Sequence, residues 1–532
     1  MKMRIKHLTY FLFGISNIQL LINPGIFWDD WTLYKASNDA LMSQFIGNGS
    51  VYFGFMHQYL QSFSDPVLIY SLITVVLQIL SIYYLFRILE LYEKNENKKF
   101  SFLYILVMLY AVLPFADTEI TMICFPYTLC LSFFVFGCYA LVKYDVSGRI
   151  IYRIISSIVF VLSFSTASFL FFYLIPVLFI LFREELYILY RSRVDKIGYS
   201  IKIIILKGVK HFELLVLPIV FFILKSFLFP VSNQYKEVGY NEINLAEISH
   251  ILPRFFQMFK SLTATLIPYF TQLITNIEFV LILIFLFVLL LVKLPNIKKI
   301  NTNSFSLILL ILGFFVLFIG AFPYLLVNKI PSFYEYNSRH ALLLGFGFSP
   351  LILGILFLFK PNWLKKSLLS FIISISVTLN VIIQFNYFKG YMLERVYTNI
   401  FGDVSRELGD ASSTILVDAS SNEFTLKGAH SRFYVLSGIY NKINSNERVM
   451  IILEKDYERQ MKRGVLKKLE PYFYQYNLRN YRLKEPEYKL LIRLNKENIP
   501  QIEFFTYYYH YIRGCEEIWN QYFTYEFFEL PG

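Results

Sequence analysis

Four stretches of this chain, residues 66–86, 277–292, 303–323 and 341–359, are almost free of charge. A helix needs about 20 consecutive apolar residues to cross the hydrocarbon core of a bilayer. Buried helices of soluble proteins are rarely so long and so uniformly apolar. Composition agrees: 56% of the 532 residues are hydrophobic, 19% are aromatic and only 17% are charged. A typical soluble chain carries about 25% charged residues. The pattern requires an all-α polytopic membrane protein.

The N-terminus reads Met1-Lys2-Met3-Arg4-Ile5-Lys6, then an apolar run to about Phe27. It has the basic and apolar regions of a signal peptide but lacks a small-residue cleavage site. With further spans behind it, an uncleaved first helix fits better. Cys124, Cys130 and Cys138 share one apolar span and read as small hydrophobes; Cys515 has no partner in the tail for a disulfide. No cysteine or histidine spacing has a metal-site pattern.

Orientation follows from Lys and Arg, which collect in cytoplasmic loops. Residues 1–6, 87–99, 143–153, 183–210, 293–299 and 360–366 hold 23 of them. The intervening loops 24–65, 117–122, 230–276 and 324–340 hold 6. From residue 388 onward the tail has 20 basic against 19 acidic residues. The net charge of +12 therefore belongs to cytoplasmic loops and reflects orientation, not nucleic-acid binding.

Residues 154–182 lie between two basic loops and carry a polar break, Ser163-Phe164-Ser165-Thr166-Ala167-Ser168. A hairpin of two short helices resolves the parity, with the break shielded by protein or placed near the outer surface. The result is about 11 spans, at residues 7–27, 66–90, 100–116, 123–143, 154–168, 169–182, 211–230, 277–293, 303–323, 341–360 and 367–387. The N-terminus is then cytoplasmic and the tail extracytoplasmic, in a multi-pass protein of a cell (inner) membrane. Arg254 to Ile274 is amphipathic and reads as an interfacial helix.

The chain divides into a multi-span part, residues 1–390, and a small α/β C-terminal domain, residues 391–532. Residues 391–410 continue the last span as helix. Thr414–Val417, Val449–Leu453 and Lys489–Leu494 suit strands, whereas 456–473 carries helical charge pairs.

Ionisable groups at the outer edge cluster in three loops. Asp29-Asp30 follow the first span and are flanked by Trp28 and Trp31. Like charges so close raise one carboxyl's pKa and create a base near neutrality; interfacial Trp anchors beside solvated Asp are the plainer alternative. Asp117 and Glu119 form a second acidic loop, or a solvated turn. The third reads Tyr334-Glu335-Tyr336-Asn337-Ser338-Arg339-His340. An Arg-His pair on a side poor in cations suits phosphate, which guanidinium holds bidentately, while Arg339 snorkelling to headgroups is the alternative. His57 and His250 read as surface histidines. Together these are the parts needed to move a sugar from a lipid phosphate to a hydroxyl: a carboxylate takes the proton and cations stabilise the departing phosphate.

These residues resemble a family, the C-type (GT-C) membrane glycosyltransferases that use polyprenyl-phosphate sugars, in particular the bacterial O-antigen glucosyltransferase-like branch. The resemblance rests on Asp29-Asp30, the second acidic loop, the multi-span body and an extracytoplasmic tail, and covers roughly residues 1–390. It implies a membrane hexosyltransferase that moves sugar from a polyprenyl-phosphate donor to a cell-envelope glycan or lipid acceptor on the outer face. Asp29 or Asp30 would be the catalytic base. Asp117, Glu119, Tyr336, Arg339 and His340 would bind substrate, Arg339 by role alone. Some members bind a divalent cation (Mg or Mn) and others do not, so metal use stays open. The expected partners are the lipid-linked sugar, the acceptor and membrane lipids, without nucleic acid. A flippase for lipid-linked oligosaccharide and an O-antigen-type polymerase are the alternatives. Few mid-span charges and no repeat argue against the first, and outer loops poor in Arg against the second.

Overall fold

A computed structural model of the protein describes residues 2–96, 103–115, 117–181, 208–209, 211–231, 245–295, 302–333, 335–408, 413–419, 433–444, 449–454, 457, 467–470, 473–476, 479–482, 486–494, 503, 506, 509–510 and 523–531. Most of the basic loop 183–210, and Cys515, lie outside them. Among the described residues four helices are long and apolar enough to cross a membrane: Pro66–Glu93, Met122–Ser147, Phe305–Leu326 and Asn362–Leu408. A bent pair, Glu247–Thr275 and Ile277–Lys293, makes five if taken as one span. The chain is a helical membrane protein with a small mixed sheet.

That number is below the expected 11. Other expected spans hold shorter apolar helices, Leu103–Val112, Ile150–Ser163, Ser168–Leu181 and Leu344–Leu358. At 1.5 Å per residue a ten-residue helix covers about 15 Å, half the hydrocarbon core.

Small residues set the tightest helix pair, Thr302–Leu326 against Leu344–Leu358. A methyl on Gly347 would stand 2.6 Å from the Leu317 nitrogen, and one on Gly313 2.8 Å from that of Leu351. Glycine therefore lets the two backbones touch, the usual device between helices in lipid. Ser306 adds a hydrogen bond from Oγ to the Gly354 carbonyl at 2.6 Å.

The Phe125–Ser147 and Ile150–Ser163 helices form a hairpin. Gly148 ends the first at φ 68° and donates its amide to the Tyr144 carbonyl, a left-handed cap that suits glycine. Ser156 donates to the Gly137 carbonyl across the pair at 3.0 Å. The polar break follows Ser163, and protein shields it: Phe164 is buried against Tyr173 and Phe221.

Ile251–Thr275 is a helix with Phe255, Met258 and Leu262 buried and Leu252, Phe256 and Ile267 exposed. It meets Ile277–Lys293 at 93°, as a helix lying in an interface would meet a span. At the opposite end, Lys2 pairs with Glu93 and Lys6 with Glu90, so the N-terminus sits beside residues 87–93.

The last span does not stop at the membrane. Asn362–Leu408 is one helix of 47 residues, about 70 Å long and more than twice a bilayer core. The expected boundary near residue 390 falls inside it, so helix rather than linker joins the two parts. Beyond it lies a four-stranded sheet of order β2-β1-β6-β7, with β1 Thr414–Ala419, β2 Met450–Leu453, β6 Tyr488–Leu494 and β7 Phe523–Glu529. β1 runs parallel to β2 and β6, and β6 antiparallel to β7. Each of the three expected strands lies in this sheet. The helical expectation for 456–473 holds at Tyr457 and fails from Lys467: Lys467–Glu470 and Phe473–Tyr476 are strands β3 and β4 of a separate three-stranded sheet, completed by β5 at Arg479–Arg482. Lys467 and Lys468 pair with Gln475 and Tyr474 across β3–β4, with an irregularity before Glu470, and that pairing overrode the local charge spacing.

Candidate functional site

The loop after the first helix is folded inward. Residues Asp30–Leu33 form one helical turn whose residues are all buried, with Asp29 at its N-cap. Trp31 donates its indole N–H to the Ile26 carbonyl at 3.0 Å, which closes the loop on itself. Asp30 is 1% exposed. Its Oδ2 accepts the Met122 amide at 2.9 Å and its Oδ1 the Ile123 amide at 2.7 Å. Those amides open the turn Met122–Cys124, which runs into the Phe125–Ser147 helix. A carboxylate here meets N–H groups without intrahelical partners and the positive end of the helix dipole. Burial still prevails: it pushes the Asp30 carboxyl up to about 7, against both amides, and the charge of Asp29 adds to the rise.

Asp29 is half-buried. Its carbonyl accepts the Thr32 hydroxyl at 2.6 Å. The two acids are therefore distinct: Asp30 faces inward on two amides, and Asp29 flanks it.

Asp117–Ile120 is a 3-10 turn packed against another, Glu335–Ala341. Glu119 is buried rather than solvated, and burial pushes its carboxyl up to about 8. The side chains of Asp117 and Tyr336 lie outside the described residues. Arg339 is half-buried. Cys124 stands within electrostatic reach of Arg339 and of Asp29 and Asp30, so the three loops converge around the start of the Phe125–Ser147 helix.

Arg339 and His340, expected as a cation pair, are not one: His340 is buried against Tyr324, with ring centroids 4.8 Å apart. Burial, then the charges of Arg339 and Lys329, push its pKa far down, so it is a neutral ring. The second cation beside Arg339 is Lys329, whose ammonium is pushed down to about 8 by burial and then by Arg339. No spacing in the sequence marked Lys329, because a turn separates it from Arg339.

His57, expected at the surface, is 0% exposed. Its Nδ1 shares a hydrogen bond of 2.6 Å with the Tyr70 hydroxyl, and its ring stacks on Phe45 at 4.8 Å. Burial pushes it down to about 3. Tyr70 in turn lies within electrostatic reach of Asp30. A signal existed: Phe53, His57 and Leu60 share one face at helical spacing.

Glu394 is the other missed residue. Fully buried on the long helix, it accepts the Ile26 amide at 2.9 Å and Lys442 Nζ at 3.0 Å. Lys442 comes from the helix Phe433–Asn444 of the C-terminal domain, and its ammonium lies 5.8 Å from the Trp31 ring centroid. The C-terminal domain thus touches the loop that carries Asp30.

Among the described residues, no group of three or more His, Cys, Asp or Glu could hold a metal ion. Compared with family models, curated proteins and solved structures, the chain matches none.

Proposed function

We propose that the chain is a C-type membrane glycosyltransferase, moving a sugar from a polyprenyl-phosphate donor to a cell-envelope glycan or lipid acceptor. In this reading it crosses a cell membrane about 11 times, with the N-terminus cytoplasmic and the C-terminal domain and Asp30 outside. The observation that carries the reading is Asp30: a buried carboxyl with a pKa of about 7, on the same helix start as Cys124, which feels Arg339.

Asp30 accepts the proton of the acceptor hydroxyl as its oxygen attacks the anomeric carbon. The bond from that carbon to the phosphate oxygen breaks, and polyprenyl phosphate leaves with the electron pair. Arg339 and Lys329 stabilise the charge that develops on it, which is where preorganised cations contribute most. Burial matches Asp30 to its task, since a base is most effective with a pKa near the working pH. Asp29 flanks the base, and Glu119, Tyr336 and the neutral His340 belong to the substrate surroundings.

The test is reconstitution of purified protein in vesicles with labelled polyprenyl-phosphate sugar and an envelope extract. A new glycosidic bond supports the proposal. Translocation of the donor without one favours a flippase instead, and a lengthened glycan chain favours a polymerase.

A further inference from the structure

A cavity of about 60 Å³ lies behind Glu119, between the first helix, Pro66–Glu96, Leu103–Val112 and the long helix. Apolar residues make most of its wall, but Asn17, Gln78, Asn380, Gln384 and Glu119 also line it. It reaches well into the membrane body, since Gln78 lies 12 residues into its helix, about 18 Å. The chemistry of the polar set is one-sided. Asn17 Nδ2 donates to the Phe13 carbonyl at 3.1 Å and Asn380 Nδ2 to the Val112 carbonyl at 2.8 Å. Their amides are thereby anchored by nitrogen, leaving oxygen for the cavity. Gln78 is 9% and Gln384 5% exposed, and the Oε1 atom of each is buried with no hydrogen-bond partner. Glu119 is buried beside them, and no Lys or Arg lines the wall.

Buried acceptors without donors are costly, and an intramembrane group of this kind points to a ligand. The ligand must supply positive charge or donors, and size decides between candidates. A cavity of about 60 Å³ has room for about four waters, too little for a sugar ring. One carboxylate balances one positive charge. Amide and carboxylate oxygens are the ligands that replace the hydration shell of an alkali cation at membrane depth.

We propose that this cavity binds a single monovalent cation of sodium size, held by Glu119 and the amide oxygens of Gln78 and Gln384 with residual water. Cation binding shares Glu119 with the substrate surroundings but stands whether or not the chain forms glycosidic bonds.

The experiment is binding of radioactive sodium to the purified full chain in nanodiscs, with melting temperature followed in sodium, potassium and choline chloride at equal ionic strength. Saturable binding near one ion per chain is expected. So is a melting temperature that rises with sodium and not with choline, as for a ligand that binds only the folded state. Gln384→Leu and Gln78→Leu should each weaken sodium about tenfold or more, because each removes one oxygen ligand from the ion. Glu119→Gln should abolish binding. Wild-type protein that binds no sodium, or melts identically in all three salts, overturns the proposal without reliance on any variant.

Discussion

Lys442 of the C-terminal domain donates to Glu394 Oε1 at 3.0 Å, while the other oxygen of the same carboxylate accepts the amide of Ile26 at 2.9 Å. One buried carboxylate thus ties the C-terminal domain, the long helix and the loop that carries Asp30 together. Its partners are unequal, since Glu394 is 0% exposed and Lys442 34%. Removing Lys442 leaves a buried charge with only an amide to answer it, and breaking a buried pair in that way costs about 3–5 kcal/mol. Removing the charge from Glu394 frees an ammonium that already reaches water. Lys442→Ala should therefore destabilise the protein more than Glu394→Gln. Chemical unfolding of the two variants in detergent checks the order.

Gly438 sets a second contact between the same parts. A methyl there would stand 2.7 Å from Trp31 Cε3, so the domain helix or the indole has to move. Overpacking of this kind costs about 1–3 kcal/mol. Gly438→Val should lower both stability and sugar transfer, and Trp31 fluorescence should report the displaced ring.

The pH dependence of transfer follows from Asp30. As the proposed base it works only when ionised, and its carboxyl is held up to about 7. Transfer should therefore fall below pH about 7, approaching about tenfold per pH unit. A rate unchanged down to pH 5 would assign the proton to another group. The measurement is the rate at saturating donor and acceptor across pH 5–9.

Asp29 gives that profile a handle. Its negative charge adds to the rise at Asp30, so Asp29→Asn should lower the pKa of Asp30 and move the acid limb to lower pH. Asp30→Asn should remove the limb together with the activity. The contrast separates the base from its neighbour, which the adjacent pair in the sequence could not do.

Tyr70→Phe tests the buried histidine. The change removes the 2.6 Å hydrogen bond to His57 Nδ1 and leaves a second buried ring nitrogen unpaired, since Nε2 already has no partner. A buried polar atom left unsatisfied costs about 1–3 kcal/mol. The expected result is a lower melting temperature, measured by differential scanning fluorimetry.

How much of this was legible follows from the range of the interactions. The apolar runs, the break after Ser163, the amphipathic helix from Ile251 and the strands at Thr414, Met450 and Tyr488 carry their cause within a few neighbouring residues. The span count was less legible, because apolarity does not say where Leu103–Val112 stops as a helix. The burial of His57 was written in its helical stripe but competed with its polar side chain. Glu394 could not be read at all: its partners, Ile26 and Lys442, lie 368 and 48 residues away, and nothing local distinguishes it from a solvated acid. The two acids of the first loop looked equivalent because only the amides of Met122 and Ile123, from another loop, tell them apart.

The most direct measurement is transfer of labelled sugar from polyprenyl phosphate to an envelope acceptor by wild type and Asp30→Asn in nanodiscs, at matched amounts of folded protein. Transfer by the wild type and its loss in Asp30→Asn is the expected result. Equal transfer by both would contradict Asp30 as the base.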